Sequence, residues 1–220
     1  MSTNSIPTTG INGIRFRSRI EAIWAEMFTK LGWEWEYEPI DLNGYIPDFI
    51  IKFPYKHLLV EVKGDTDIKN IEQYADKIVK SGWDGEFLLV CSSLECDDDD
   101  NLYIGLLGAT KARYSCGDFR NDEDYLHRNM DFVDLCGLSL SDYYSHILPL
   151  VKNKNFANLS ICECCKKYTM FDGSCGLYWC RHCGNSPCLT KNMIKKNDET
   201  FNKIKGFWIE AKNHSQWKGK

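Results

Sequence analysis

The chain's 220 residues, 43% hydrophobic and 26% charged, are enough to bury a core and contain no apolar run near the roughly 20 residues a membrane helix needs. The net charge of −4 conceals an asymmetry: residues 1–150 hold 14 basic against 26 acidic side chains, and residues 151–220 hold 13 against 5. A basic tail behind an acidic body suits a protein that touches nucleic acid, and equally a solvated lysine-rich surface.

The opening MSTNSIPTTG has neither the basic nor the apolar part of an export signal and reads as a short polar tail, residues 1–13. A cytoplasmic location is therefore expected, without membrane partners, and the eleven cysteines are expected to be metal ligands or buried thiols rather than disulfides.

Across residues 14–32, Ile20, Ile23, Trp24, Met27, Phe28 and Leu31 recur at steps of three and four, predicting a helix that Gly32 ends. Trp33 to Pro39 alternates aromatics with glutamates as a half-buried strand does, and Tyr45–Phe53 and His57–Lys63 predict two more strands of a meander. A helix over Asp65–Ser81 and a buried strand at 86–93 follow, so the order is αβββαβ. The run Asp97–Asp100 suits a solvated loop, 103–109 a further strand, and Leu140–Leu150 a helix. Near the C-terminus, FNKIKGFWIEAKN predicts a last helix within a segment carrying eight lysines against three acids from Lys191 onward.

Three of these elements carry a chemical pattern. Asp48 stands in the second predicted strand, and Glu61 and Lys63 stand two apart in the third, which sends an acid and an amine to one face. Leu58, Leu59, Val60 and Val62 around them indicate a mostly buried strand, where unpaired charges are costly. The bland alternatives are a solvated helix glutamate for Glu21, a turn aspartate after proline for Asp48, and a surface ion pair for Glu61 with Lys63.

Pro47-Asp48, then Glu61-Val62-Lys63, preceded by Glu21 on the leading helix, resemble the PD-(D/E)XK nuclease superfamily, and more closely small phage or mobile-element nuclease-like proteins. The resemblance covers residue 14 to about residue 93 and implies an α/β fold: a restriction endonuclease-like αβββαβ core with a mixed sheet. It implies a nuclease domain over 14–150 in which Asp48, Glu61 and the carbonyl of Val62 bind Mg²⁺ or Mn²⁺ and Glu21 completes the site. Lys63 would orient or deprotonate the attacking water or stabilise the phosphorane charge. Arg17 and Arg19 would contact phosphate or support the acids, and Lys195 and Lys196 would follow the backbone of the nucleic acid. The expected activity is metal-dependent endonucleolytic hydrolysis, on DNA first; an RNA nuclease using the same site and a catalytically inactive binding module are the alternatives, and a homodimer is compatible with cutting two strands.

Seven cysteines fall between Cys162 and Cys188. Cys162-x2-Cys165 and Cys180-x2-Cys183, fourteen residues apart, have zinc-ribbon spacing, and four thiolates suit tetrahedral Zn²⁺. Gly184 fits the turn that aims amides at the sulfurs. Cys164, Cys175, Cys188 and His182 leave the ligand choice open. The module, residues 158–190, is expected to use zinc structurally, with Lys166, Lys167, Arg181 and its aromatics as a second-choice grip on nucleic acid; residues 191–220 form the basic helix and tail.

Overall fold

The leading helix begins later than residue 14, where the predicted segment starts, and the reason is local. Arg15–Phe16 (β2) pairs antiparallel with Thr8–Thr9 (β1), and Ser18, in extended conformation, caps helix α1 (Arg19–Lys30) by accepting the Glu21 amide on Oγ at 3.3 Å. At the other end the amides of Gly32 and Trp33 donate to the carbonyls of Thr29 and Phe28, both at 2.9 Å, with Gly32 at φ +70°; this is a Schellman turn. The computed structural model describes residues 8–66, 72–96, 102–109, 134–139, 157–162, 164–172, 180–184 and 198–215.

Strands β3 (Trp35–Tyr37), β4 (Phe49–Phe53) and β5 (Lys56–Val62) form the expected antiparallel meander, with Phe49 opposite Val60. Segment 45–48 is not strand: Asn43 and Gly44 take φ +56° and +88°, as a tight hairpin turn requires, and Leu42 bridges to Tyr45. Helix α2 (Ala75–Lys80), entered through a 3₁₀ turn at Glu72–Tyr74, is shorter than predicted and carries the chain to β6 (Glu86–Val90), parallel to β5. Beyond it lie β7 (Glu95–Cys96), β8 (Leu102–Ala109), β9 (Asp134–Ser139), β10 (Ala157–Ile161) and β11 (Tyr168–Asp172). The sheet is mixed and nine-stranded, in the order β11-β10-β9-β8-β6-β5-β4-β3 with β7 beside β8. It runs without interruption from the meander into the strands that flank Cys162. At Gly105 a Cβ would lie 2.2 Å from the Leu89 carbonyl oxygen, so only glycine lets β8 pass β6 there. The Asp97–Asp100 loop and the Leu140–Leu150 helix lie outside the described residues.

Both faces of the central strands are covered. Phe49, Ile51, Leu58, Val60, Leu88 and Val90 face α1 and the last helix, α3 (Asp198–His214). Leu59, Phe87 and Leu89 pack with Ala75 and Ile78 of α2 on the other face. This two-sided cover explains the unbroken apolar run of β6. Trp24 anchors the first layer: it is fully buried, its ring centroid lies 4.8 Å from that of Trp208 on α3, and its Nε1 donates to the Cys91 carbonyl at 2.8 Å. Truncating such a side chain costs about 3–5 kcal/mol. The Lys30–Glu210 ion pair and the polar contact of His214 Nδ1 with Glu26, at 3.2 Å, fasten the same two helices at the rim. No described helix is long and apolar enough to cross a membrane.

Candidate functional site

Antiparallel register positions the first two acids. Phe49 faces Val60, so one step further Asp48 stands opposite Glu61 at the end of the β4–β5 ladder, on the side of the sheet that carries α2. Glu21 reaches the same end from the first turn of α1. All three carboxylates are at least nine-tenths buried, and together with Lys63 they line one open cleft of about 500 Å³. The ladder continues past Val62 through the bond from the Lys63 amide to the Val90 carbonyl, 2.8 Å. Lys63 therefore keeps its strand alternation, and its Nζ pairs with Glu61 Oε1 while lying 4.6 Å from the Tyr74 ring centre.

Every oxygen of these acids has a donor. Glu21 Oε1 accepts from Ser18 Oγ at 2.6 Å, and its Oε2 from the Tyr37 hydroxyl at 2.5 Å and the Arg17 amide at 3.1 Å. Asp48 Oδ2 accepts from the Val62 amide at 2.7 Å, and its Oδ1 from Arg17 Nη2 at 2.9 Å. Glu61 Oε2 accepts from the Tyr45 hydroxyl at 2.7 Å. Burial raises the Asp48 pKa from 3.8 to about 7, and the charges of Glu61 and Glu21 push the same way against the Val62 amide and Lys63. Tyr45 and Tyr37 are likewise raised, first by burial and then by the glutamates they serve. A concentration of buried negative charge held by oxygen donors from three elements is what a hard divalent cation fits.

Tyr37, Glu38, Tyr45 and Lys77, which also lines the cleft, escape the sequence pattern. Only Tyr45 had a usable signal, because Asn43-Gly44 marks a hairpin that folds the next residue back toward the strand end. Arg17 supports the acids, pairing with Asp48 and, at 2.5 Å, with Glu38. Arg19 does not line the cleft; its Nη2 reaches the Lys212 carbonyl of α3 at 3.5 Å. Lys195 and Lys196 lie outside the described residues.

The cysteines form a second centre. The sulfurs of Cys162, Cys165, Cys180 and Cys183 all lie within 4.8 Å of one another, with Cys162–Cys183 at 3.8 Å and Cys165–Cys180 at 3.6 Å. Sulfurs about 2.3 Å from a tetrahedrally bound zinc are spaced about 3.8 Å apart, so the tetrad fits such an ion. The two knuckles repeat one turn: the Lys166 amide bonds the Cys162 carbonyl at 2.7 Å and the Gly184 amide the Cys180 carbonyl at 2.9 Å, with φ +59° and +68°. Burial raises the Cys180 thiol, but the amides of Cys183 and His182 outweigh it, and the pKa falls from 9.0 to about 7. His182 is committed elsewhere, its Nε2 3.0 Å from the Tyr168 carbonyl and its ring edge-on to Phe53. Cys164 is exposed, and Cys175 and Cys188 lie outside the described residues.

Arg181, read from the sequence as one of the basic side chains of a second-choice grip on nucleic acid, is only 5% exposed. Its Nε pairs with Glu86 Oε2 at 3.0 Å and its Nη1 with the Met170 carbonyl, which ties the second knuckle to the start of β6. Comparison with protein-family models, with curated proteins and with solved structures gives no match.

Proposed function

We propose that the cleft is a divalent-metal-dependent phosphodiesterase site and that the protein is an endonuclease acting on DNA. The supporting observation is that Glu21, Asp48, Glu61 and Lys63 converge at one strand end, three buried acids with an ammonium laid against one of them. The order of elements α1-β3-β4-β5-α2-β6, with β5 and β6 parallel, agrees with a restriction endonuclease-like core. The basic segment after residue 150 supplies charge for a polyanion.

Asp48 and Glu61, with the Val62 carbonyl, would hold Mg²⁺ or Mn²⁺, and Glu21 would complete the set directly or through water. The ion's contribution when bound is charge neutralisation at the scissile phosphate and a more acidic water. Lys63, on the same side as Glu61, donates through its ammonium to the attacked phosphate or orients the attacking water. Tyr45 and Tyr37 fix the glutamate rotamers by hydrogen bonds. The cysteine tetrad would bind Zn²⁺ in a structural role.

The assay is cleavage of plasmid, linear and single-stranded DNA, and of RNA, with Mg²⁺ or Mn²⁺. Asp48→Asn and Lys63→Ala should each lower the rate at least about 100-fold. Activity unchanged in both variants would sink the assignment; cleavage of RNA alone would move the substrate and leave the site.

A further inference from the structure

We infer that Arg17 is the internal counter-ion of the metal site: a divalent cation binds by displacing its guanidinium from Asp48, and Glu38 receives the displaced group. The inference rests on the metal-site reading above and adds to it a competing ligand that belongs to the chain.

Occupancy of the acids leads to it. Each carboxylate oxygen keeps a second lone pair. A cation reaching both Asp48 and Glu61 nevertheless meets two positive charges already seated there, Arg17 on Asp48 and Lys63 on Glu61, beside the Val62 amide and the Tyr45 hydroxyl, and like charge drives out whichever donor can move. The Val62 amide on Asp48 Oδ2 is backbone in the middle of the sheet and cannot leave without breaking strand pairing. Lys63 is 18% exposed and flanked by the Tyr74 ring, so it has little room to withdraw. Arg17 differs on each count. Its side chain is 55% exposed, its hold on Asp48 is a single Nη2 bond at 2.9 Å, and its Nε is already paired at 2.5 Å with Glu38 Oε1. Releasing Asp48 thus leaves the guanidinium on a carboxylate instead of stranding it.

The backbone at Arg17 does not move with the side chain. Its amide donates to Glu21 Oε2 and to the Tyr37 hydroxyl, at 3.1 and 2.9 Å, so the acid of α1 stays in place while the guanidinium swings. Metal-free, the arrangement offsets the repulsion among three buried acids; metal-bound, it leaves a forked cation at the rim of the cleft, where a phosphate oxygen would arrive.

The test is calorimetric titration of Mn²⁺ into the full chain without nucleic acid. Arg17→Gln should bind Mn²⁺ roughly fivefold more tightly than the unsubstituted chain, the scale of losing one partly exposed competing charge. Glu38→Gln should bind more weakly, and that loss should shrink when Arg17→Gln is already present, because Glu38 acts through Arg17. A second readout needs no substitution: saturating Mg²⁺ should shift the Arg17 Nε–Hε resonance, and should not in Asp48→Asn. Equal or weaker binding by Arg17→Gln, or an unmoved resonance at saturation, overturns the inference and leaves the metal site standing. Absence of Mn²⁺ binding in the unsubstituted chain, or binding that Asp48→Asn leaves intact, removes the metal-site reading and the inference with it.

Discussion

The two candidate metal centres of this chain are built on opposite plans. The cysteine tetrad is local: two four-residue knuckles with the same carbonyl-to-amide turn, whose sulfurs stand where one ion can reach them all. The carboxylate cleft is assembled from the start of α1, the entrance of β4 and the end of β5, and its acids are already satisfied by Ser18, Arg17, Tyr37, Val62, Tyr45 and Lys63. A centre built on two short turns, with four sulfurs within 4.8 Å of one another, depends on its metal to hold shape, whereas one set into the ends of paired strands keeps its shape and binds metal in competition with its own donors. The tetrad is therefore expected to matter most for stability and the cleft most for activity.

The largest effect should come from breaking the tetrad. Structural zinc bound by four thiolates contributes about 10–16 kcal/mol to folding, comparable to or larger than the whole stability of a typical domain at about 5–15 kcal/mol. Elemental analysis is expected to find one equivalent of zinc per chain in the unsubstituted protein and none in Cys162→Ser or Cys180→Ser, whose β10 and β11 should become open to proteolysis. Asp48→Asn, by contrast, should leave zinc content and melting temperature intact or higher; a destabilised Asp48→Asn with a tolerated Cys162→Ser would reverse the comparison.

Next comes the strut that ties the cysteine centre to the sheet. Arg181 joins the second knuckle to Glu86 at the head of β6, and the pair is buried on both sides. Removing one partner of a buried pair costs about 3–5 kcal/mol; Lys56, 3.1 Å from Glu86 and more exposed, keeps the loss from Arg181→Met near the lower figure. Denaturant unfolding measures it, and a change below about 0.5 kcal/mol, the range of ordinary surface substitutions, would show that the strut is idle.

How these parts were readable differs in the same way. The tetrad's ligands follow from spacing because the knuckle turn is contained within each CxxC. Glu61 with Lys63 follows from strand alternation, and Glu21 with Asp48 from motif order, yet their donors do not. Tyr37 lies sixteen residues from the Glu21 it serves and Glu38 twenty-one from the Arg17 it pairs with, brought there by β3 pairing with β4, and no periodicity announces a hydrogen bond across a sheet. Arg181 misled for a related reason: lysine and arginine in a cysteine cluster read as surface charge until a buried glutamate 95 residues earlier is placed beside one of them. The start of α1 was missed because the segment from residue 14 was joined to a period whose first member is Ile20, while Ser18 decides where the helix begins.

Acid–base behaviour separates the regions with opposite signs. Burial raises Glu86, but Arg181 and Lys56 outweigh it and lower its pKa from 4.5 to about 2; its contribution to stability is present above pH 4.5 and lost as pH falls toward 2. Asp48, raised from 3.8 to about 7, binds more protons folded than unfolded between those values; its contribution is complete below pH 3.8 and lost as pH rises through 7. Melting temperatures in chelator-free, Mg²⁺-free buffer between pH 5 and 8 should therefore fall less steeply in Asp48→Asn than in the unsubstituted chain. Added Mg²⁺ should flatten the unsubstituted profile, since a cation beside Asp48 favours its ionised form. Identical slopes in both proteins would mean that Asp48 is not the buried acid the cleft makes it.

The smallest effect tests the claim that the cleft's shape is set by its own hydrogen bonds. Tyr45→Phe removes one hydroxyl from Glu61 Oε2 and leaves the ring, the hairpin turn and the Lys63 pair in place. A hydrogen bond to a charged acceptor is worth about 1.5–3 kcal/mol, but Glu61 keeps its second oxygen paired and water can enter an open cleft, so about 1 kcal/mol is the expected loss of stability. On activity the effect should exceed that, roughly 10-fold in kcat with little change in KM, because a freed Glu61 rotates away from the place where Asp48 needs it as a co-ligand. Tyr37→Phe acts on Glu21, which Ser18 Oγ and the Arg17 amide still hold, and should cost less than Tyr45→Phe on both measures. If Tyr37→Phe proves the more damaging of the two, Glu21 rather than Glu61 is the acid whose orientation limits the site.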